Sequence, residues 1–305
     1  MLRQVNIKNI LWIDGVTISK NELQSVVRHY NFHELDIEAC LEENQRARID
    51  YYDDYMFITL HFPKYNPKTQ IYELNEFDIF LGKDFLITFR DFPGNHVDKI
   101  FEQYSKLDIK EDSKMKISSG FILYEIIQSM LEKMFKFVEK NTLDVKKLEK
   151  NVFAGASSAL VKDIMTKKRN IIMLKNMFKP QIAVLNQLEF NINKLFAGRI
   201  EEYFEDLEDK LGQIVNEIVL LDEYIQSIED AFKTIIDIKT NAVIKMLTLF
   251  SAFLFPMTLI TSFYGMNVDN LPFQHNPNVV FWIIFFIAVI TMVSGYIFFK
   301  KNDDI

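Results

Sequence analysis

The sequence predicts an N-terminal cytoplasmic α/β domain, long stalk helices and two C-terminal transmembrane helices. Short β-type runs alternate with helical ones from residue 10 to about residue 92. No glycine or proline interrupts residues 213–255, and two uncharged apolar stretches lie near the end of the chain. The predicted boundaries are 1–115 for the α/β domain, 116–243 for the helical and stalk region, 244–264 and 279–299 for the transmembrane helices, 265–278 for an external loop, and 300–305 for a basic cytoplasmic tail.

Charge is concentrated in the first 245 residues. Beyond Lys245 the only charged residues are two lysines and three aspartates, so the first 245 residues hold 33 of the 35 basic and 39 of the 42 acidic groups. This segment is soluble and mildly acidic, which disfavours a nucleic-acid partner. A single cysteine, Cys40, excludes an intramolecular disulfide and suits a reducing compartment, where we expect it to serve packing.

The sequence contains none of the short motifs that bind nucleotides or support catalysis. Its nine glycines form no GxxxxGK[ST] or GxGxxG pattern. It also has no HExxH, no CxxC pair and no nucleophile–base arrangement that the sequence alone reveals. We therefore expect neither an enzyme nor a nucleotide or other organic cofactor.

The α/β domain is predicted from five runs rich in Ile, Phe, Tyr and Thr, each bounded by turn residues. These runs are ILWIDGVTI, DYMFITLHF, IYEL, FDIFLG and FLITFR. Ser19 followed by Glu22 is typical of a capping box and predicts a helix over SKNELQSVVRHY, and a second helix is predicted over FHELDIEACLEE. Together they predict a mixed sheet covered by helices.

Polar side chains within these runs are interpreted mainly as structural. Glu73, Glu76 and Asp78 form an acidic cluster, which is either a cation site or, as we favour, a solvated strand edge. The isolated His61 is expected to be structural.

Long helices follow the α/β domain. Residues 116–150 and 157–195 are predicted to be amphipathic helices with breaks near Gly155 and Pro180. In the stalk, apolar residues recur at alternating spacings of four and three, which predicts a helix packed lengthwise against others. This seam consists of Ile214, Ile218, Leu221, Ile225, Ile228, Phe232 and Ile235.

Two apolar stretches are each long enough to cross a membrane. Met246–Phe263 and Val279–Phe299 carry no charged residue, and each approaches the ~20 residues that cross a hydrocarbon core. Lysines precede the first stretch and follow the second, whereas the segment 264–278 has neither Lys nor Arg. By the positive-inside rule both termini are cytoplasmic. The N-terminus does not resemble a signal peptide, so we expect a multi-pass protein of the plasma (inner) membrane.

Polar residues of the first span share one helix face. Ser251, Thr258 and Ser262 stand at positions i, i+7 and i+11. Their hydroxyls either bond only to their own i−4 carbonyls or line a water-filled passage. Because two spans cannot enclose a pore, the second interpretation requires a ring of identical copies, which the stalk seam would assemble.

The stretch Tyr264-Gly265-Met266-Asn267, placed after a long stalk helix and before a second span and a basic tail, resembles the signature of the CorA family of divalent-cation channels. Upstream, KTNAVIKMLTLFSAFLFPMTLITSFYGMN resembles the first span of that family, and the resemblance covers most of the chain. It implies a funnel-shaped homopentamer in the lipid bilayer that admits Mg²⁺, and often Co²⁺ or Ni²⁺, down its gradient.

The resemblance also implies a role for individual residues. Asn267 would form the outer selectivity ring, with Tyr264, Gly265 and Met266 shaping it. Asp230 would form an acidic ring near the cytoplasmic mouth, and Asp206 would bind regulatory Mg²⁺ between subunits. The conduit and its gate would be lined by Asn241, Ile244, Leu247, Phe255, Thr258 and Ser262.

The signature suits a cation that keeps its water shell. Mg²⁺ dehydrates reluctantly, so neutral carboxamide oxygens from Asn267 would select the hydrated ion without trapping it. We expect Gly265 to take a positive φ so that carbonyls face the axis. Asn267 could instead be a helix C-cap. The sequence departs from the family at Phe255, a bulkier constriction, and lacks the usual glutamate after the signature, for which Asp269 could substitute.

Two alternative functions remain at this point. The first is transport of Co²⁺, Ni²⁺ or Zn²⁺ on the same scaffold. The second belongs to another class, a membrane-tethered sensor or scaffold whose helices only anchor the soluble domain and carry no flux.

Overall fold

The computed structural model describes residues 2–42, 45–91, 95–106, 117–155, 157–196, 200–268, 272 and 276–302. These residues form two compact units, Met1–Glu229 and Asp230–Ile305. The first unit holds a six-stranded sheet with its covering helices, and the second holds the apolar end of the chain.

The sheet of the first unit is mixed, as predicted. Its strand order is β1-β2-β6-β5-β4-β3, with β2 and β6 parallel and all other neighbours antiparallel. IYEL and FDIFLG form one long strand rather than two, and β1 and β3 were not predicted. The strands are β1 (Leu2–Ile7), β2 (Ile10–Val16), β3 (Arg48–Tyr51), β4 (Tyr55–Asn66), β5 (Ile71–Gly82) and β6 (Phe85–Arg90).

Three shorter helices flank the sheet: α1 (Lys20–Val27), α2 (Glu34–Ala39) and α3 (Asn95–Lys106). The predicted capping box of α1 is present, because Ser19 accepts from the backbone N–H of Glu22 while the Glu22 carboxylate accepts from the backbone N–H of Ser19. One core lies between the sheet and the first two helices, where Phe57, Phe80 and Ile87 pack with Leu23 of α1 and Ala39 of α2.

A buried ionic network lies on the opposite face of the sheet. The Asp14 carboxylate on β2 accepts from Arg3 at 2.7 Å and from Arg90 at 2.9 Å. Both guanidinium groups also donate to Asp98 of α3, at 2.5 and 2.7 Å. Because the two arginines offset two carboxylates, this network joins three strands and a helix without leaving a buried charge unpaired.

The long helices are α4 (Ser119–Ala154), α5 (Ser158–Leu195), α6 (Glu201–Tyr264) and α7 (Pro277–Asn302). The predicted break near Gly155 is confirmed, but the predicted break near Pro180 is wrong, because α5 runs through it. Proline costs an interior helix about 3 kcal/mol. Packing across the same turn opposes that cost: Phe178 is buried, and the Gln181 side chain bonds to both the N–H and the carbonyl of His61, each at 3.0 Å.

The stalk seam is present on α6, but its predicted role in assembling copies is wrong. Ile214, Ile218 and Ile225 are fully buried within the chain itself, and the other seam residues up to Phe232 are nearly so. Heptad spacing requires only that a helix pack along its length and does not identify the partner. Here the partners belong to the same chain, so the seam is not available for joining subunits.

The acidic cluster on β5 is not a solvated strand edge, and that prediction is wrong. β5 lies between β4 and β6, and Glu76 and Asp78 are buried. Only Glu73 is exposed, and its carboxylate accepts from the side chain of Asn66 at 2.6 Å. An interior strand position therefore places two carboxylates inside the protein.

We expect Ile218→Ala to destabilise the first unit by about 2–5 kcal/mol, because it leaves a cavity in the packed seam. Leu220, two residues away on the same helix and 64% exposed, provides the control: Leu220→Ala should change the free energy of unfolding by less than about 1 kcal/mol. Urea unfolding of the solubilised protein, followed by circular dichroism, measures both. Equal effects would contradict the buried seam.

Candidate functional site

The second unit contains the two candidate membrane spans. The C-terminal part of α6 and residues Asn278–Ile297 of α7 are long and apolar enough to cross a bilayer, and almost none of the residues in their apolar stretches is fully buried within the chain. The predicted spans Met246–Phe263 and Val279–Phe299 both fall on these helices. α7 begins with Pro277 in its first turn, a position where the missing N–H has no helical partner to lose.

One face of α6 packs against α7. Leu249 contacts Gly295, where an added Cβ would lie 3.0 Å from the Leu249 side chain. Further along, Phe253 and Met257 line an apolar cavity of about 320 Å³ together with residues of α7. Half-buried residues mark this face along the span: Leu249, Phe253, Pro256, Met257 and Ile260.

The predicted conduit residues lie on the opposite face of α6. At about 100° per residue they occupy a sector of roughly 120°, centred about half a turn from the α7 contact. All six are exposed, with Leu247 66% and Phe255 72% exposed. The six are Asn241, Ile244, Leu247, Phe255, Thr258 and Ser262.

Hydroxyl groups on this span bond to their own helix. Thr248, Ser251 and Thr258 each donate to the i−4 carbonyl at 2.9 Å. This satisfies the hydroxyl donor inside the helix, while the lone pairs of the hydroxyl oxygen remain free to accept. The exposed face therefore presents acceptor oxygens, so the two interpretations of these residues are compatible.

The signature forms the C-terminal turn of α6. The helix ends at Tyr264, and the N–H of Gly265 donates to the carbonyl of Thr261 at 2.9 Å. The expected positive φ at Gly265 is wrong, since Gly155 is the only glycine among the described residues with a positive φ. Glycine relieves crowding here instead, because a Cβ would lie 3.1 Å from the Thr261 carbonyl oxygen.

Asn267 lies beyond the end of the helix. Gly265 occupies the residue after Tyr264, so Asn267 is too far along the chain to be the C-cap. A tight turn follows, in which the N–H of Val268 donates to the carbonyl of Met266 at 2.9 Å. The side chain of Asn267 is exposed. Asp269, the expected substitute for the missing glutamate, lies outside the described residues.

The two predicted regulatory carboxylates are accessible and lightly paired. Asp206 accepts from Lys210, one helical turn away, at 2.5 Å. Burial raises the pKa of the neighbouring Tyr124, and the charge of Asp206 raises it further. Asp230 is 77% exposed and lies 3.5 Å from Lys233. Across the ranges that the structure describes, no three His, Cys, Asp or Glu side chains of a single chain are arranged to hold a metal ion.

Acidic groups crowd the beginning of α6. Burial raises the pKa of Glu189 on α5, and nearby carboxylates raise it further, foremost Glu205, Glu208 and Glu201. The sequence analysis did not single out these residues. The many acidic residues in EEYFEDLEDK were the signal in the sequence that could have indicated this patch. The patch also includes Glu189 because α5 ends beside this turn of α6.

Comparison with known proteins identifies the family. Residues 8–301 match the family model described as CorA-like Mg²⁺ transporter protein. The cobalt/magnesium transport protein CorA of Thermotoga maritima is 26% identical over 297 residues, covering 95% of this chain and 82% of that protein. The cobalt/magnesium transport protein CorA of Methanocaldococcus jannaschii is 22% identical over 297 residues, covering 96% and 91%.

A solved structure shares the fold. The complete structure of the CorA magnesium transporter from Methanocaldococcus jannaschii superposes with a TM-score of 0.78 at 20% identity, covering 96% of this chain and 90% of that one. The α/β unit, the long helices and the two candidate C-terminal spans are therefore a known arrangement.

The two faces of α6 should differ in chemical accessibility. In a Cys40→Ser background, which removes the only native thiol, we expect Thr258→Cys to react with a water-soluble, membrane-impermeant methanethiosulfonate. Met257→Cys, the adjacent residue on the α7 face, should react at least about tenfold more slowly, because thiolates form poorly in apolar surroundings. Labelling followed by mass spectrometry compares them. Equal rates would exclude a water-lined face at Thr258.

Proposed function

The chain belongs to the family of CorA-like Mg²⁺ transporters, and we propose that it forms a passive, potential-driven Mg²⁺ channel from a ring of identical copies. The observation that carries this proposal is the uncovered face of α6, opposite the α7 contact, with the Tyr264–Asn267 signature at its end. Acceptor oxygens on this face are unfavourable in lipid alone, which offers them no donor, and they suit a water-filled shared axis.

The copies would meet along α6 beyond the seam. The seam is already buried within the chain, whereas Ile238, Val243 and Leu247 further along the helix are each more than 60% exposed. Contacts between neighbouring α6 helices would cover these residues and enclose the conduit. The family resemblance implies five copies, and we adopt a homopentamer in the plasma (inner) membrane with both termini cytoplasmic.

Selection would take place at Asn267. A ring of carboxamide oxygens holds the water shell of Mg²⁺ through neutral dipoles, whereas carboxylates would bind too firmly for conduction. The turn at Gly265 and Met266 places Asn267 past the helix end, with its side chain exposed. This position supports a role at an external entrance.

The membrane potential supplies the driving force, so no nucleotide site is required. Moving one charge through 100 mV is worth about 2.3 kcal/mol, and a divalent cation gains about 4.6 kcal/mol. At about 1.4 kcal/mol per tenfold ratio, entry is downhill unless the gradient opposes it by more than about three decades. Closure is consequently the step that the cell must control.

Closure would combine an apolar gate with cytoplasmic sensing. Ile244, Leu247 and Phe255 would close the conduit by excluding water. Asp206 would bind regulatory Mg²⁺ between copies, and Asp230 would form an acidic ring near the cytoplasmic mouth. The described residues of one chain assemble no group of three ligands. A regulatory ion would therefore draw its ligands from two copies and stabilise the closed ring.

Co²⁺ is a second candidate cargo. The relatives from Thermotoga maritima and Methanocaldococcus jannaschii are both cobalt/magnesium transport proteins. Competition between Mg²⁺, Co²⁺, Ni²⁺ and Zn²⁺ in one flux assay distinguishes the main cargo from the others.

We expect Asn267→Ala to lower Mg²⁺ uptake into proteoliposomes at least about tenfold, because the neutral oxygen ring is removed. A Mg²⁺-sensitive dye measures the flux, and a native gel shows that the oligomer persists. Asn276→Ala, a change in the same external segment outside the signature, is the matched control and should leave uptake near wild type. Normal uptake by Asn267→Ala would refute the site.

Asp206→Ala should weaken inhibition by internal Mg²⁺, because one ligand of the regulatory ion is lost. We expect the internal Mg²⁺ concentration for half-inhibition to rise several-fold. The rise should reach about tenfold or more if the ion is held by only two carboxylates and loses one of them. Glu202→Ala, one turn earlier on α6, is the comparison. An unchanged inhibition curve would remove Asp206 from the sensor.

A further inference from the structure

Four polar side chains are buried together on the face of the sheet that α1 and α2 cover. Thr59 and His61 lie on β4, directly opposite Asp78 and Glu76 of β5 in the antiparallel register. Each of the four is at most 7% exposed. Their neighbours on this face are large and apolar, Phe57 and Phe80 among them, so water has little access.

The two carboxylates receive few donors. Thr59 Oγ1 donates to Asp78 Oδ1 at 2.7 Å, and the Cys40 thiol donates to the same carboxylate. The N–H of Gln45 donates to Glu76 Oε2 at 3.0 Å. None of these donors carries a positive charge. Among the described residues, Asp78 forms no ion pair.

His61 directs an unpartnered nitrogen into this cluster. Its Nε2 is buried, makes no hydrogen bond within the described residues, and lies 3.8 Å from Glu76 Oε2. The Gln181 side chain bonds to both the backbone N–H and the carbonyl of His61, which fixes the backbone position from which the ring extends. Within the described residues, His61 Nε2 thus faces the Glu76 carboxylate without a hydrogen bond, which is costly for a buried polar atom.

The surrounding charges leave the cluster negative. The arginine whose charge acts on Asp78 is Arg48. It lies 3.6 Å from Asp36 and 3.2 Å from Asp50, and these two carboxylates compete for its charge. Ionising every carboxylate would bury more negative charge than this arginine offsets. The titratable and charged groups that face Asp78 are Asp36 and Cys40 from α2, Arg48 and Asp50 from β3, His61 from β4, Glu76 from β5, and Asp91 after β6.

We propose that Asp78, Glu76 and His61 form a buried proton-binding site, and that the bound proton holds α2 closed over the sheet. The site is independent of the conduit and of the proposed regulatory carboxylates. Its ligand is a proton shared among the carboxylates of the cluster.

The titration of Asp78 agrees with this geometry. Burial, followed by the charge of Glu76, raises the pKa of Asp78 from 3.8 to about 7. When α2 lifts, the carboxylate meets water and its pKa returns towards 3.8. The closed form therefore holds one more proton than the open form between about pH 4 and pH 7, and rising pH favours opening across this range. Above pH 7 both forms are ionised, so opening no longer depends on pH.

Cys40 reports this opening because it is the only thiol in the chain and contacts Asp78. The Cys40 side chain is partly exposed, but burial of the thiol, together with Asp78 and Glu76, raises its pKa well above the usual range, so the reactive thiolate forms mainly in the open form. Full-length protein in detergent would be treated with dithiodipyridine, at concentrations where the rate is proportional to reagent.

In wild type we expect the rate to rise about 100-fold per pH unit between pH 5 and 6.5, tenfold from thiolate formation and tenfold from opening. Above pH 7.5 only the tenfold dependence should remain. Asp78→Asn should show about tenfold per unit throughout. Glu73→Gln, an exposed carboxylate on the same strand, should behave as wild type.

A tenfold dependence throughout in wild type would overturn the proposal, as would a 100-fold dependence retained in Asp78→Asn. If Asp78→Asn fails to fold, the Glu76→Gln variant tests the proposal instead. Removing the Glu76 charge lowers the pKa of Asp78, so the change of slope should move to lower pH. A slope change that stays in place would show that another group holds the proton. Because the assay requires no flux, its result is independent of the proposed transport function.

Discussion

The central constraint on this molecule is that α6 must satisfy two opposite faces within one apolar region. One face packs on α7, and the other carries hydroxyl and carboxamide groups with large exposed apolar side chains. Acceptor oxygens facing hydrocarbon are costly, because lipid offers them no donor. The chain has no third apolar helix in the described second unit with which to cover that face. Further copies of the same helix are the partners that one sequence supplies at no additional length.

The same helix uses a different kind of packing in the first unit. There, the heptad positions up to Ile228 are buried against the chain's own helices, so the first part of α6 is already covered before the apolar region begins. Beyond it, apolar residues such as Ile238 and Val243 become exposed. α6 thus changes from intramolecular packing to a surface without a partner in the chain. We expect apolar packing between copies of α6 where the second surface begins.

Much of the fold could be predicted because its signals are local. Ser19 and Glu22 define a capping box by spacing alone. The two uncharged apolar stretches near the end of the chain predict membrane helices by length and composition. β1 escaped prediction because Arg3 and Asn6 interrupt its pattern, and Arg3 is stable there only through Asp14 and Asp98, distant in sequence. The burial of Asp78 depends on strand order, which spacing does not reveal. Likewise, the signature itself could be recognised, whereas the steric reason for Gly265 needed the position of the Thr261 carbonyl.

Two aspartates of one sheet show how neighbours decide the role of a buried carboxylate. Asp14 and Asp78 are both buried, and each accepts from a threonine hydroxyl at 2.7 to 2.8 Å. Asp14 also contacts two guanidinium groups, which offset its charge and make it a structural link. Asp78 faces a thiol, a second carboxylate and an unpartnered imidazole nitrogen, none of which fixes its charge. Since a buried carboxylate without a counterion takes up a proton more readily than one in water, we expect Asp78 to respond to pH.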